Sequence, residues 1–197
     1  MKLIIVRHGE TDWNLINKLQ SFTDVPLNDI GKKQVEKTGE YLKKQKFDLI
    51  LSSPLKRTIE TAKIINKYHD ADIILDELII ERNFGKLEGS NYFELEKKMK
   101  EIRGEDLYEL MEIEKSENVK KRVKMFLDKY NIDRHYGKTI LMVSHSSYIK
   151  IFLSVICQIP LQELRKKIIK KNASITIIDF NRDFSIKDIK IGIDEHL

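Results

Sequence analysis

The sequence predicts an α/β fold, a three-layer sandwich in which helices flank a mostly parallel central sheet. Short apolar runs alternate along the chain with longer segments whose apolar residues recur at helical spacing. Several of the short runs are apolar throughout, which is typical of parallel strands buried on both faces. The 197 residues, 41% of them apolar, have the length of one domain and can form a substantial core.

The strands are predicted from these apolar runs. In chain order they cover residues 3–6, 48–51, 73–75, 140–143, 173–180 and 184–189. The last two are joined by a tight turn of polar residues, so we expect them to form an antiparallel edge on the sheet. The other strands are separated by helical segments, as parallel pairing requires.

The helices are predicted from apolar periodicity and capping residues. Asn28 is an N-cap candidate for a helix that reaches about residue 44, with Tyr41 on its inner side. Ser53 followed by Pro54 predicts the next helix, with serine as the N-cap and proline at the first position. Later helices are expected over about residues 119–130 and 147–156.

The chain shows no repeat and no linker rich in proline, glycine or serine. We therefore expect one domain over residues 1–197. The segment that begins near Glu81 is irregular and then becomes densely charged and helical. We interpret residues 86–116, approximately, as a helical cap insertion that covers a pocket.

Composition narrows the classes of function. The 36 Lys and Arg exceed the 31 Asp and Glu by five, a mild excess that favours an anionic small ligand but does not predict a nucleic-acid partner. The single cysteine, Cys157, excludes an internal disulfide and a zinc site made of cysteines. No apolar run suits a signal peptide or a membrane span, so we expect a cytoplasmic protein without membrane contact. A homodimer is compatible with the sequence.

Polar residues follow the buried strands. Arg7 and His8 come directly after the first strand, Arg57 lies on the helix that follows the second, and His145 comes after the strand at 140–143. Ligands of open parallel sheets bind beyond the carboxyl ends of the strands. We therefore expect these four side chains to meet at one edge of the sheet.

Two arginines and two histidines suit a phosphoryl group. Arginine forks bind tetrahedral oxyanions, and a neutral imidazole can attack phosphorus while a protonated one can stabilise the phosphoryl oxygens. The spacing alone does not decide which histidine has which role. Glu81 is a candidate general acid for the leaving oxygen. No metal-ligand motif or Walker loop occurs, so neither a metal ion nor a cofactor is predicted.

The run LIIVRHGET at residues 3–11 resembles the histidine phosphatase superfamily, which has the phosphoglycerate mutase-like fold. Further blocks resemble the same family in the same order. They are Trp13-Asn14, residues 23–28 with Gly31, residues 52–62, Glu81 with Gly85 and 88–89, and residues 143–145. The ordered set is a far more specific signal than Arg-His-Gly alone.

The resemblance implies five catalytic residues: Arg7, His8, Arg57, Glu81 and His145. It implies that His8 is the nucleophile and becomes phosphohistidine, while the arginines and His145 hold the phosphoryl oxygens. Glu81 would protonate the departing alkoxide and then help to deprotonate the attacking water. The resemblance also implies that the reaction needs no metal.

Four further residues are candidates for substrate binding: Asn14, Gln20, Ser21 and Ser146. Asn14 would add a hydrogen bond to the phosphoryl group, and Gln20 and Ser21 lie where relatives contact substrate. Ser146 replaces the glycine that relatives usually have, and its hydroxymethyl group either crowds the site or donates a hydrogen bond.

The sequence favours hydrolysis of a small phosphorylated metabolite over phosphate transfer between positions of glycerate. Phe84 occupies the place of a tyrosine of the mutases, and Tyr92 stands about where they have a lysine. The region also lacks their paired arginines. The alternatives are a cofactor-dependent phosphoglycerate mutase and a protein that binds a phosphorylated ligand without turnover.

Overall fold

One sheet organises the protein. The computed structural model describes residues 1–102, 105–167 and 171–197, and within them the sheet has six strands. They are β1 (Lys2–Arg7), β2 (Leu49–Ser52), β3 (Ile73–Leu75), β4 (Thr139–Ser144), β5 (Ile175–Phe180) and β6 (Ile186–Ile193). The predicted strands therefore all exist, with bounds that differ by a few residues.

The strand order is β3-β2-β4-β1-β5-β6. β1, β2, β3 and β4 pair in parallel, whereas β5 pairs antiparallel with β1, and β6 antiparallel with β5. The sheet is thus mostly parallel with an antiparallel edge, as the sequence predicts. The carboxyl ends of β1, β2 and β4 lie side by side, which is where the polar residues follow them.

The helices of the described residues connect these strands. They are α1 (Asp12–Leu15), α2 (Asp29–Leu42), α3 (Lys56–Asn66), α4 (Tyr92–Glu101), α5 (Glu105–Leu110), α6 (Ser116–Lys129), α7 (Ile132–His135), α8 (Ser146–Cys157) and α9 (Leu161–Lys167), with 3₁₀ turns at Glu77–Ile79 and Gly85–Leu87. Among the described residues, none of the helices combines the length and apolar character that crossing a bilayer demands.

Two apolar clusters cover the two faces of the sheet. Side chains of successive strand residues point to opposite faces, so Leu3 and Ile5 of β1 pack with α6 and α8. Ile4 and Val6 pack instead with α2 and α3. This alternation explains why β1 is apolar throughout, and it confirms the predicted three layers.

A third apolar cluster lies beside the sheet, around α5. It consists of Leu19, Phe84, Leu87, Leu107 and Ile113. Helices α4 and α5 both fall within the predicted cap at about residues 86–116. That segment includes residues 103 and 104, which lie outside the described residues, and its role as a cap stays a prediction.

The predicted start of α3 is wrong. The helix begins at Lys56, and its N-cap is Leu55, which makes no capping hydrogen bond through its side chain. The Ser53 hydroxyl contacts Nε2 of His145 at 2.8 Å, and the chain becomes helical only three residues after Ser53. Asn28, in contrast, caps α2 as predicted, since its Oδ1 accepts from Gly31 N at 2.7 Å.

Tyr41 does not lie on the inner side of α2. The buried stripe of this helix contains Gly31, Val35, Thr38 and Leu42, which recur at helical spacing. Tyr41 is one position away from that stripe and is 43% exposed. Its ring lies 5.0 Å from that of His196 near the end of the chain.

Candidate active site

Strand pairing brings the two predicted histidines together. Arg7 of β1 is in register with Ser144 of β4, and the residues that follow them are His8 and His145. The backbone N–H of His8 donates to the Ser144 carbonyl at 3.0 Å. The two imidazole rings are 5.2 Å apart between centroids, although 137 positions separate them in sequence.

The surroundings of His8 fix its tautomer. Nδ1 lies 2.7 Å from the Gly9 carbonyl oxygen, which can only accept, so Nδ1 carries a proton and donates it. Burial, then the charges of Arg57 and Arg7, lower the pKa of His8 well below its usual value. The ring is therefore neutral at physiological pH, and the lone pair of Nε2 is available as a nucleophile.

His145 is also neutral and is held at both nitrogens. Arg57 Nε donates to Nδ1 at 3.3 Å, and arginine has no acceptor. The proton therefore lies on Nε2, which donates to the Ser53 hydroxyl at 2.8 Å. Burial, then the charges of Arg57 and the neighbouring His8, lower the pKa of His145 well below its usual value.

Arg57 is completely buried and is held by an irregular segment that follows α1. Its Nη2 donates to the Ser21 carbonyl at 2.8 Å, and Nη1 donates to the Thr23 carbonyl at 3.0 Å. Burial lowers the pKa of Arg57 to about 10, and the carboxylates of Glu81 and Asp24 oppose that decrease. The guanidinium is still a cation at neutral pH and points its Nε toward the histidines.

Arg7 adds a second cation beside the first. Burial lowers the pKa of Arg7 to about 10; the charge of Glu81 opposes the decrease and that of Arg57 adds to it. The Glu81 carboxylate thus acts on both guanidinium groups, and the charge of Arg57 acts on Arg7. This charge arrangement favours binding of an oxyanion.

Glu81 lies at the N-terminus of α8. Its Oε1 accepts from the backbone N–H groups of Arg82 at 2.8 Å and Tyr148 at 3.0 Å. Oε2 accepts from the N–H of Ser147 at 3.3 Å. Glu81 is only 5% exposed, and these three N–H groups fix the position of its carboxylate.

Asn14 is oriented by its neighbours. Its Oδ1 accepts from Thr11 N at 3.2 Å and from Nδ2 of Asn172 at 3.0 Å. Because these donors occupy the oxygen, the amide nitrogen of Asn14 is the group left to donate to a ligand. Asn172 also donates to the carbonyls of His8 and Gly9, at 3.1 and 3.3 Å. Sequence reasoning missed Asn172, whose only signal is a polar residue just ahead of the β5 apolar run.

Gln20 and Ser21 differ in their surroundings. Both amide atoms of Gln20 are buried without a hydrogen-bond partner among the described residues. The Ser21 hydroxyl instead donates to the Arg82 carbonyl at 3.3 Å and accepts from Phe84 N at 3.2 Å. Ser21 therefore links the segment that holds Arg57 to the segment that carries Glu81.

Ser146 is the first residue of α8 and directly follows His145. It is partly exposed, and its role in substrate binding stays a prediction. Within residues 1–102, 105–167 and 171–197, no group of three or more His, Cys, Asp or Glu side chains is arranged to hold a metal ion.

The fold is that of an α/β protein with a mostly parallel sheet. Beyond its strand ends, two guanidinium groups and two neutral imidazoles lie near the Glu81 carboxylate. The chain belongs to the histidine phosphatase superfamily, branch 1, whose family model matches residues 3–188. The uncharacterized phosphatase PhoE of Bacillus subtilis is 37% identical over 189 residues, which are 95% of this chain and 93% of PhoE.

Solved structures of phosphatases and related proteins are similar to this chain over nearly its full length. YhfR of Bacillus stearothermophilus has a TM-score of 0.86 and 27% identity, over 99% of this chain and 98% of its own. A phosphoserine phosphatase from Entamoeba histolytica, solved in complex with 3-phosphoglyceric acid, has a TM-score of 0.83 and 30% identity, over 100% and 98% of the two chains. Proteins named phosphoglycerate mutases are among the relatives as well.

Proposed function

We propose that this protein is a phosphatase that hydrolyses small phosphomonoesters through a phosphohistidine at His8, without a metal ion. The observation that carries the proposal is the state of His8. Its Nδ1–H is held by the Gly9 carbonyl, and its neutral ring leaves Nε2 as a nucleophile beside two guanidinium groups. The phosphatase names of the relatives support hydrolysis.

In the first step the phosphoryl dianion binds to Arg7, Arg57 and the amide nitrogen of Asn14. The lone pair of His8 Nε2 attacks phosphorus, and the bond from phosphorus to the ester oxygen breaks. Glu81, in its protonated form, donates its proton to that oxygen, so an alcohol leaves rather than an alkoxide.

In the second step water attacks the phosphoryl group on His8. The Glu81 carboxylate accepts a proton from that water, the bond from nitrogen to phosphorus breaks, and His8 regains its lone pair. Phosphate then leaves, and Glu81 is again protonated for the next substrate. Atoms and protons balance over the two steps without a further reactant.

His145 acts on the phosphoryl oxygens in this proposal. In the free protein its Nδ1 accepts from Arg57 Nε. A bound phosphoryl dianion draws the guanidinium toward itself and neutralises part of the charge that keeps the ring unprotonated. His145 can then bind a proton from solvent on Nδ1, and that N–H donates a hydrogen bond to a phosphoryl oxygen, which stabilises the transferring group. The proton returns to solvent when phosphate leaves.

The test is phosphate release from a panel of phosphomonoesters in the presence of EDTA, with the wild type beside His8→Ala. We expect release by the wild type and a decrease of at least about a thousandfold in the variant, because the nucleophile is lost. His135→Ala is the control and should match the wild type, because His135 lies at the end of α7 just before β4, whereas His145 follows the opposite end of that strand.

Other outcomes contradict the proposal. Release that EDTA abolishes and His8→Ala preserves would mean a metal-dependent mechanism. Transfer of phosphate between the positions of glycerate without net release would favour a mutase. Binding of phosphorylated ligands without any release would favour a protein that lacks turnover.

A further inference from the structure

Arg122 of α6 contacts the backbone that leads to Glu81. Its Nη1 donates to the carbonyls of Leu78 and Ile80, both at 3.0 Å. Its Nη2 lies 3.5 Å from the carbonyl oxygen of Glu81 itself. These carbonyls belong to the segment between β3 and the third apolar cluster, which is a 3₁₀ turn followed by irregular backbone.

Glu114 fixes Arg122 and also holds the far side of the same segment. Its carboxylate accepts from Arg122 Nε at 3.2 Å and Nη2 at 3.0 Å. It also accepts from the N–H of Asn83 at 3.1 Å, while the Glu114 carbonyl accepts from Arg82 Nε at 2.7 Å. The pair therefore binds the chain on both sides of Glu81.

The guanidinium of Arg122 has no spare donor. Its five N–H groups match five hydrogen bonds, two to Glu114 and three to carbonyls of residues 78–81. The two charged side chains are only 19% and 16% exposed. The guanidinium also lies 5.5 Å from the centre of the Tyr148 ring, and Tyr148 supplies one of the N–H groups that hold the Glu81 carboxyl.

We propose that Arg122, oriented by Glu114, is a positioning residue for the general acid Glu81. The inference rests on the proposed function, because it assigns the pair a role in proton donation by Glu81. A displacement of about 1 Å of a reacting group can lower a rate about a hundredfold. Lysine cannot replace Arg122, since three N–H groups on one nitrogen cannot reach a carboxylate and three carbonyls in different directions.

The leaving group distinguishes positioning of an acid from general structural support. An alkyl phosphate releases a strongly basic alkoxide and needs the proton, whereas p-nitrophenyl phosphate releases a weakly basic phenolate and does not. The quantity to compare is kcat/KM, which reports the first phosphoryl transfer. We expect Glu81→Gln to lower kcat/KM for an alkyl phosphate about a hundredfold or more, and for p-nitrophenyl phosphate only a few-fold.

Two Arg122 variants should likewise lower kcat/KM mainly for the alkyl phosphate. They are Arg122→Lys and the double variant that combines Glu114→Gln with Arg122→Gln. The double variant avoids leaving a buried carboxylate without its partner, which protects folding. Lys124→Gln removes a cation from an exposed position of the same helix and is the control. Thermal unfolding of each variant verifies that the compared proteins are folded at the assay temperature.

The results for Glu81→Gln and for the Arg122 variants distinguish failure of the proposed function from failure of the positioning role. If Glu81→Gln lowers kcat/KM equally for both substrates, or for neither, Glu81 is not the general acid. Suppose instead that Glu81→Gln lowers kcat/KM mainly for the alkyl phosphate, while the folded Arg122 variants lower kcat/KM equally for both substrates, or for neither. That result would overturn the positioning role of Arg122. Adding Arg122→Lys to Glu81→Gln should cause little further loss for the alkyl phosphate, and a second hundredfold loss would contradict the proposal.

Discussion

Two histidines at the strand ends stay unprotonated because the fold buries them and places cations beside them. His8 and His145 are both buried, and Arg57 and Arg7 lower the pKa of each. The same guanidinium groups that favour a phosphoryl dianion therefore keep the proposed nucleophile free of a proton. Binding and nucleophilicity arise from one arrangement of charges.

This arrangement predicts how stability depends on pH. The unfolded chain binds protons on its histidines below about pH 6.5, whereas folded His8 stays neutral there, so the free energy of unfolding decreases as the pH is lowered. His8→Asn removes one such group. We expect the slope of unfolding free energy between pH 6.5 and 5 to be smaller in the variant by up to about 1.4 kcal/mol per pH unit.

Urea unfolding of both proteins over that pH range measures the difference. The remaining histidines serve as an internal control, since they are present in both chains. Parallel curves for the wild type and His8→Asn would contradict the prediction that His8 is neutral in the folded protein.

Loss of the Asn172 side chain should lower both activity and stability. Asn172→Ala removes the donor that orients Asn14 and binds the His8 and Gly9 carbonyls. We expect phosphatase kcat/KM to decrease about tenfold, as for a hydrogen bond to a group in the transition state, with about 1 kcal/mol lost in stability. Steady-state kinetics tests this against Asn118→Ala, which changes an exposed asparagine of α6. Equal activity of the two variants would show that Asn172 orients nothing that the reaction needs.

Sequence reasoning predicted which residues meet but not how they are held. Arg7, His8 and His145 follow apolar strands, so the rule for parallel sheets places them at one edge. Ser53 and Asn172 act through hydrogen bonds with His145 and Asn14, which lie far from them in sequence. Such contacts depend on side-chain directions that exist only once the sheet and helices have packed, so no local pattern indicates them.

At the scale of elements, α2 packs directly against the backbone that follows β1. A Cβ on Gly31 would overlap the Glu10 carbonyl oxygen and lie 2.6 Å from Glu10 N. Glycine at this position therefore lets the helix approach the backbone that carries His8. Asn28, which caps the helix, also donates to the Glu10 carboxylate at 3.1 Å.

Gly31→Ala should therefore destabilise the protein, although alanine is the better helix former. We expect a loss of about 1–3 kcal/mol in unfolding free energy from overpacking. Gly39→Ala on the same helix is the matched control, because its Cβ would meet the end of the Tyr68 side chain at 2.8 Å, and Tyr68 is 42% exposed. That side chain can move, so the change should stay within about 1 kcal/mol. Equal losses in urea unfolding would contradict the close approach at Gly31.

The elements themselves were predictable where burial determines them. Strands β1 and β4 are buried on both faces, and their uninterrupted apolar runs follow from that. The start of α3 was not predictable, because Ser53 followed by Pro54 has the ordinary features of a helix start, whereas the helix begins at Lys56 and the Ser53 hydroxyl contacts His145. Tyr41 was misplaced because one position of error rotates a helical side chain by about 100°.

At the scale of the whole molecule, strand order creates the site. β1 lies between β4 and β5, so His8 meets His145 across a parallel pair while Asn172, just before β5, approaches from the other side. Helix α6 then supplies Arg122 to the segment that carries Glu81. Residues from the first and last thirds of the chain thus lie in one cluster. The resemblance to the family predicts this sheet topology, whereas the amino-acid composition does not.

The proposed phosphohistidine contains a covalent bond between phosphorus and one nitrogen of His8, so trapping that bond is the decisive experiment. The protein is mixed with a substrate identified by the panel, quenched in alkali, where phosphohistidine survives, and mapped by mass spectrometry. We expect phosphate on His8 in the wild type, lost on brief acid treatment, and no phosphoprotein from His8→Ala. Phosphate on another residue, or full turnover by His8→Ala, would contradict the account.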